Sequence, residues 1–116
     1  MPEKSPEPAL RDIVDAIGHI HSKLEGVSLE TFQGDLDRRR IVERNVEIIS
    51  EASRRLSADL KERYPDIPWP KVAGIGNVLR HDYDTVSPRI LWNVARTDLA
   101  QLEMACKTEL LRVPRS

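Results

Sequence analysis

Cysteine is nearly missing from this chain. Cys106 stands alone among 116 residues, which excludes an internal disulfide framework and an all-cysteine zinc site. Charge of one sign is missing too: 18 Lys and Arg face 19 Asp and Glu, for a formal net charge of −1. Bulk electrostatics therefore predicts neither non-specific attraction to nucleic acid nor adhesion to a membrane surface. Long apolar runs are absent, since the longest nearly apolar stretch, Val72 to Leu79, is too short and too glycine-broken to cross a bilayer. The opening Met-Pro-Glu-Lys-Ser-Pro lacks the apolar centre of a signal peptide, so a cytoplasmic protein is expected. Aromatic residues make up only 4%, and no Asn-Gly or Asp-Gly hairpin turn occurs, which argues against a sheet. There are 3 histidines. His19 and His21 fall two apart and point to different sides of a helix, and neither an i, i+4 pair nor a Cys/His cluster exists. No metal site and no cofactor is expected.

What is present fits a folded chain. Hydrophobic residues supply 40% and charged residues 32%, enough for one core, and residues 1–116 read as a single domain. Apolar residues recur at spacings of three and four. Leu10, Ile13, Val14, Ile17, Ile20 and Leu24 form a continuous stripe, with Ser5, Pro6 and Pro8 at its start and Gly26 at its end. After a connector at 26–34, a second helix is predicted from about Asp35 to about Tyr64, a rod of roughly 40 Å. Its stripe is Val42, Val46, Ile49, Leu56 and Leu60, broadened by Ile41, Ile48 and Ala52 toward a second neighbour or a partner subunit. The prolines of Tyr64-Pro-Asp-Ile-Pro-Trp-Pro end it. A third helix is predicted from Pro70 to about Tyr83, where Gly74 and Gly76 imply close approach of another backbone. Ser87-Pro88 starts a last helix carrying Leu91, Trp92, Ala95, Leu99, Leu102 and Cys106. The predicted architecture is all-α, an antiparallel up-and-down bundle of four to five helices, the fifth being a short turn in the 28–33 connector.

The chemistry concentrates near the end of the third helix, in Gly74-Ile-Gly-Asn-Val-Leu-Arg-His-Asp-Tyr83. Asn77 lies four residues before His81, so the two share a face, while Val78 and Leu79 are assigned inward. Imidazole moves protons near neutral pH and guanidinium holds phosphate. Together His81, Arg80 and Asn77 can serve metal-free RNA cleavage, in which a base takes the 2′-hydroxyl proton, an acid protonates the leaving oxygen and a cation steadies the phosphorane. The plainer reading is a histidine that caps the helix C-terminus. Other features have plain readings as well. Arg38, Arg39, Arg40 and Arg44 could track an RNA backbone or form a solvated face paired with Glu43 and Glu47. Glu51 could orient a site group or simply be exposed. Trp69 and Trp92 could stack on bases or anchor the packing, and Cys106 reads as a small core residue.

The run Ile67-Pro-Trp-Pro-Lys-Val-Ala-Gly-Ile-Gly-Asn-Val-Leu-Arg-His-Asp-Tyr83 resembles the HepT-like members of the HEPN superfamily, small helical toxins paired with a minimal nucleotidyltransferase antitoxin. Ile41 to Ala52 is similar to that family's long second helix, and Val86-Ser-Pro-Arg-Ile-Leu-Trp92 to the start of its last. The resemblance implies a homodimer in which two motifs face one another across a cleft. It further implies metal-independent endoribonuclease activity and silencing by AMP transfer from the antitoxin to Tyr83, two residues after His81. It also implies an arginine upstream of the histidine, which this chain lacks: the positions are Gly74, Ile75 and Gly76. Arg80 is the cation nearest His81. The departure leaves a second expectation open, that of a non-catalytic helical module which binds a nucleotidyltransferase.

Overall fold

A computed structural model describes residues 5–82 and 87–113, and for Arg80, His81 and Asp82 it describes the helix backbone alone. Among the described residues there is no strand. Helix α1 runs Glu7–Leu24, α2 Leu29–Gly34, α3 Leu36–Arg54, α4 Ala58–Glu62, α5 Trp69–Asp82, α6 Pro88–Asn93 and α7 Leu99–Arg112. A wider π turn, Val94–Asp98, joins α6 to α7 without a break. Helix α3 packs between α1 and α5, and α7 lies against α1. The expected all-α bundle is present, and the short turn expected in the connector is α2.

Local chemistry explains the helix starts. Ser28, Asp35, Ser57 and Ser87 each accept a hydrogen bond from the backbone N–H three residues on, which satisfies a donor that the first helical turn leaves free. Asp35 also binds the Arg38 guanidinium at 3.1 Å. The Arg38 backbone N–H first, and then its side chain, hold the Asp35 carboxyl below its ordinary value. Gly26 ends α1 at φ 71°, the left-handed conformation that glycine tolerates.

The core is the predicted set in large part. Leu10, Ile13, Ile17, Ile20, Val42, Val46, Ile49, Leu91, Leu99, Leu102 and Cys106 are all buried. Burial pushes the Cys106 thiol up to about 12, with the Glu109 charge adding to the shift. Ile41 is 37% exposed and Ile48 only partly covered, so the broad side of the α3 stripe is not fully used within one chain.

Two expectations are corrected here. The second helix does not run from Asp35 to Tyr64, because it stops at Arg54. At the break the Arg55 N–H turns back to the Ala52 and Ser53 carbonyls, and Ser57 captures the Leu60 N–H to start α4 afresh. Leu56 and Leu60 stay buried on both sides of the turn, so their spacing carried no sign of it. The rod shortens to about 28 Å. The second correction concerns Val78, which is 43% exposed against the expected inward position; of the pair, Leu79 faces the core, at 2%.

The segment after α4 is fastened at two points. The buried Glu109 carboxylate of α7 accepts Arg63 Nη2 at 2.5 Å and the Tyr64 hydroxyl at 2.6 Å. Burial pushes this carboxyl up, but the bonds from Arg63 and Tyr64 outweigh it and hold it below its ordinary value. Tyr64 is raised, by burial first and then by donating to Glu109. Trp69 closes the loop, its indole N–H donating to the Lys61 and Tyr64 carbonyls at 3.1 and 3.2 Å. It is a packing anchor rather than a base platform.

Candidate functional site

Of the candidate residues, Asn77 and the His81 position fall on one face of α5, while Arg80 stands about 100° round the helix from His81. Asn77 is exposed, and the backbone continues helical through His81, so the two positions lie one turn apart on the same side. The side chains of Arg80 and His81, and Tyr83 as a whole, lie outside the described residues.

The flank of this turn, about 100° round from Asn77, is packed against α3 by an unusual device. Ser50, buried on α3, donates its hydroxyl to the Ala73 carbonyl at 2.7 Å and accepts the Gly76 N–H at 3.1 Å. A Cβ at position 76 would lie 2.6 Å from Ser50 Oγ and 2.8 Å from Ser50 Cβ, so only glycine fits. The close approach expected at the glycines is therefore real at Gly76. It is not real at Gly74, where a Cβ would meet nothing within 4 Å. The reason is helical phase: two residues turn the helix by roughly 200°, which takes Gly74 away from α3.

Beside Ser50, Arg54 reaches from the last turn of α3 to the same carbonyl. Its Nε and Nη2 donate to Ala73 O at 3.2 and 2.7 Å. Helix carbonyls point toward the C-terminus, so this oxygen is directed at the turn that carries Asn77. Among the described residues Arg54 bonds to this carbonyl alone. The arginines singled out by the sequence are placed otherwise. Arg38 binds Asp35 and the Lys23 carbonyl, and Arg39 reaches the Gln33 carbonyl at 3.5 Å. Arg40 pairs with Glu43 and Arg44 with Glu47, both at 3.4 Å. Arg40 and Arg44 thus take the expected pairing with Glu43 and Glu47, whereas Arg38 and Arg39 are half-buried and bond elsewhere. Glu51 is exposed on α3. Trp92 packs on Phe32 with ring centres 5.4 Å apart, and Arg96 covers it at 4.6 Å.

On the far side of α5 an apolar groove of about 300 Å³ opens among Val46, Ile49, Val72, Ile75, Val94 and Leu102. The π turn forms one wall. Ile75 lines the groove and stands two residues, or about 200°, from Asn77, so groove and candidate face are separate surfaces. Among the described residues no three His, Cys, Asp or Glu side chains come together as metal ligands, and His19 and His21 are exposed on α1. No helix there is long and apolar enough to cross a membrane.

Sequence reasoning missed Ser50 and Arg54. Ser50 carried a faint signal, a small polar residue next to Ile49 in a core stripe, opposite a glycine-rich helix. Arg54 carried none, because its contact joins residues 19 apart in the chain.

The chain is similar in sequence to known proteins over most of its length. The family profile described as "Ribonuclease HepT-like" matches residues 13–109, which take in α3, α5 and most of α7. A probable ribonuclease HepT of Thermococcus cleftensis is 34% identical over 101 residues, 87% of this chain and 92% of its own length. A chain of Caldanaerobacter subterraneus, named as a candidate RNase, is 32% identical over 104 residues, 90% of this chain and 93% of its own. A Methanocaldococcus jannaschii chain with a similar name is 29% identical over 94 residues, 81% of this chain and 86% of its own. No solved structure matches.

Proposed function

Because the chain belongs to the HepT-like ribonuclease family, we propose that it is a metal-independent endoribonuclease, the toxin of a toxin–antitoxin pair. The observation that carries this reading is the register of α5, which sets the exposed Asn77 and the His81 position one turn apart, inside the segment that matches the family. In the proposed reaction the ribose 2′-hydroxyl attacks the adjacent phosphorus. Its proton passes to a base, the P–O5′ bond breaks, and the departing 5′-oxygen receives a proton. The products are a 2′,3′-cyclic phosphate and a 5′-hydroxyl, with no water consumed. His81 is assigned the proton transfers, Asn77 the positioning of the phosphate or the imidazole, and Arg80 the nearby positive charge.

Residues 1–116 act as one domain, and two copies pair so that their α5 faces meet across a cleft, which supplies one histidine as base and the other as acid. The exposed Ile41 and Val78, on α3 and α5, support such pairing. A nucleotidyltransferase antitoxin silences the enzyme by transferring AMP to Tyr83. The added phosphate and its bulk next to His81 repel and block an incoming RNA strand.

One observation favours a second reading. The place of the expected arginine is occupied by packing, since Gly76 is sealed against Ser50. On that reading the chain is a helical module that binds the nucleotidyltransferase without cleaving RNA. Expression in a host lacking the partner separates the two. Growth arrest by wild type that His81→Ala relieves supports the enzyme, whereas equal harmlessness of both supports the module.

A further inference from the structure

The geometry points to Arg54 as the RNA-phosphate contact of this site, a cation delivered from α3 to the stretch of α5 where no side chain of α5 itself can supply one. The inference rests on the endoribonuclease reading and assigns part of its substrate binding.

Three observations converge on Arg54. Between Ala73 and Asn77 the face of α5 is bare: Gly76 is buried against Ser50, Gly74 carries no side chain, and Ile75 turns into the apolar groove. Arg54 fills that gap from the neighbouring helix, held in place by two bonds to the Ala73 carbonyl. That bidentate grip engages two of the five N–H donors of a guanidinium and leaves the rest for a ligand. Finally, its charge is not spent. Arg40, Arg44, Arg55 and Arg63 all pair with carboxylates, whereas Arg54 bonds only to a neutral carbonyl among the described residues. A fixed, exposed guanidinium with no carboxylate partner among the described residues is the side chain best suited to a phosphate.

The order along the helix gives the contact a place on the substrate. Ala73, Asn77 and His81 follow at intervals of four, so a single strand laid along this face passes Arg54 before it reaches His81. At 1.5 Å per residue the two ends lie about 12 Å apart along the axis. Arg54 therefore grips a phosphate on the strand leading to the scissile one, and its loss is expected to act on substrate affinity more than on the bond-breaking step.

The test is binding and cleavage of a single-stranded oligoribonucleotide by Arg54→Gln and Arg54→Lys. Glutamine keeps a donor for the Ala73 carbonyl but loses the charge, and lysine keeps the charge. Binding is measured across a salt series in a His81→Ala background, so that the RNA stays intact. Arg54→Gln is expected to flatten the dependence of log affinity on log salt by about 0.7, the value of one phosphate contact on a single strand. It should also raise KM about 10-fold while kcat changes less, and Arg54→Lys should restore the salt slope. Arg55→Gln, whose partner is Asp12, is the neighbouring control and should match wild type. Both Arg54 variants with wild-type slope and KM would overturn the assignment, as would equal losses in Gln and Lys, which mark a packing role. Failure of wild type to bind or cleave any RNA would instead sink the ribonuclease reading, and this inference with it.

Discussion

Two glycines on one turn of α5 should respond to the same substitution with opposite signs. In a helix interior, glycine to alanine is worth about 1 kcal/mol of stabilisation from backbone entropy alone. At Gly74 nothing opposes that gain, since the new Cβ meets no atom within 4 Å. At Gly76 the new Cβ falls 2.6 Å from Ser50 Oγ and 2.8 Å from Ser50 Cβ. The hydroxyl can rotate away, but that breaks its bonds to Ala73 O and Gly76 N and strands a buried polar group, at a cost of about 1–3 kcal/mol. The Ser50 Cβ cannot rotate away. Helices α3 and α5 must separate, and overpacking of this kind costs about 1–3 kcal/mol. The opposing terms leave Gly76→Ala destabilised by about 1–5 kcal/mol. For a chain of this size 1 kcal/mol is worth roughly 4 °C in Tm. Thermal unfolding followed by circular dichroism should show Gly74→Ala melting up to about 4 °C higher and Gly76→Ala about 4–20 °C lower. Ser50→Gly combined with Gly76→Ala should recover part of the loss, because it removes both clashing atoms. Shifts of the same sign for the two single variants would refute the packing argument.

Other consequences are open to simpler checks. Tyr64→Phe leaves the buried Glu109 carboxylate short of a donor and should cost about 1–2 kcal/mol in urea unfolding, with no change in RNA cleavage. Glu109 is held below its ordinary value of 4.5, so its contribution is complete above about pH 4.5 and disappears as pH falls through the lower folded value. Glu109→Gln should therefore shrink the loss of stability below pH 4.5, and Asp35, also held low, keeps part of it. Cys106, buried with its thiol pushed up to about 12, should resist a thiol reagent at pH 8 in the folded protein and react at once in denaturant. Incubation with the cognate nucleotidyltransferase and ATP should add adenylate mass to the peptide containing Tyr83 and not to Tyr64, whose hydroxyl is engaged by Glu109. Modification on Tyr64 would overturn the assignment of the acceptor.

Helix existence and most of the core were legible because apolar spacing, capping residues and prolines agreed. Ser87-Pro88 capped α6 as expected, and Gly26 took the left-handed conformation. The break after Arg54 was not legible, since Leu56 and Leu60 keep helical phase across it while the decisive bond is the local capture of Leu60 N–H by Ser57. The π turn at 94–98 left no mark either, as one extra residue in a turn hardly disturbs a pattern of threes and fours. At the site, the spacing of Asn77 and His81 was plain from their positions. The role of Gly76 was half visible, as a glycine needing a reason. The reason itself, Ser50, and the nearby Arg54 come from α3, and a pairing between helices is not written in the period of either one.

The nature of the RNA ends tests the central claim most directly. Purified protein is incubated with single-stranded RNA in the presence of EDTA, and the fragments are weighed by mass spectrometry. The account predicts 2′,3′-cyclic phosphate and 5′-hydroxyl ends from wild type, none from His81→Ala, and a weaker yield from Arg80→Ala than from a variant at Arg38, Arg39 or Arg40. Fragments ending in 3′-hydroxyl and 5′-phosphate, activity abolished by the chelator, or equal cleavage by His81→Ala would contradict it.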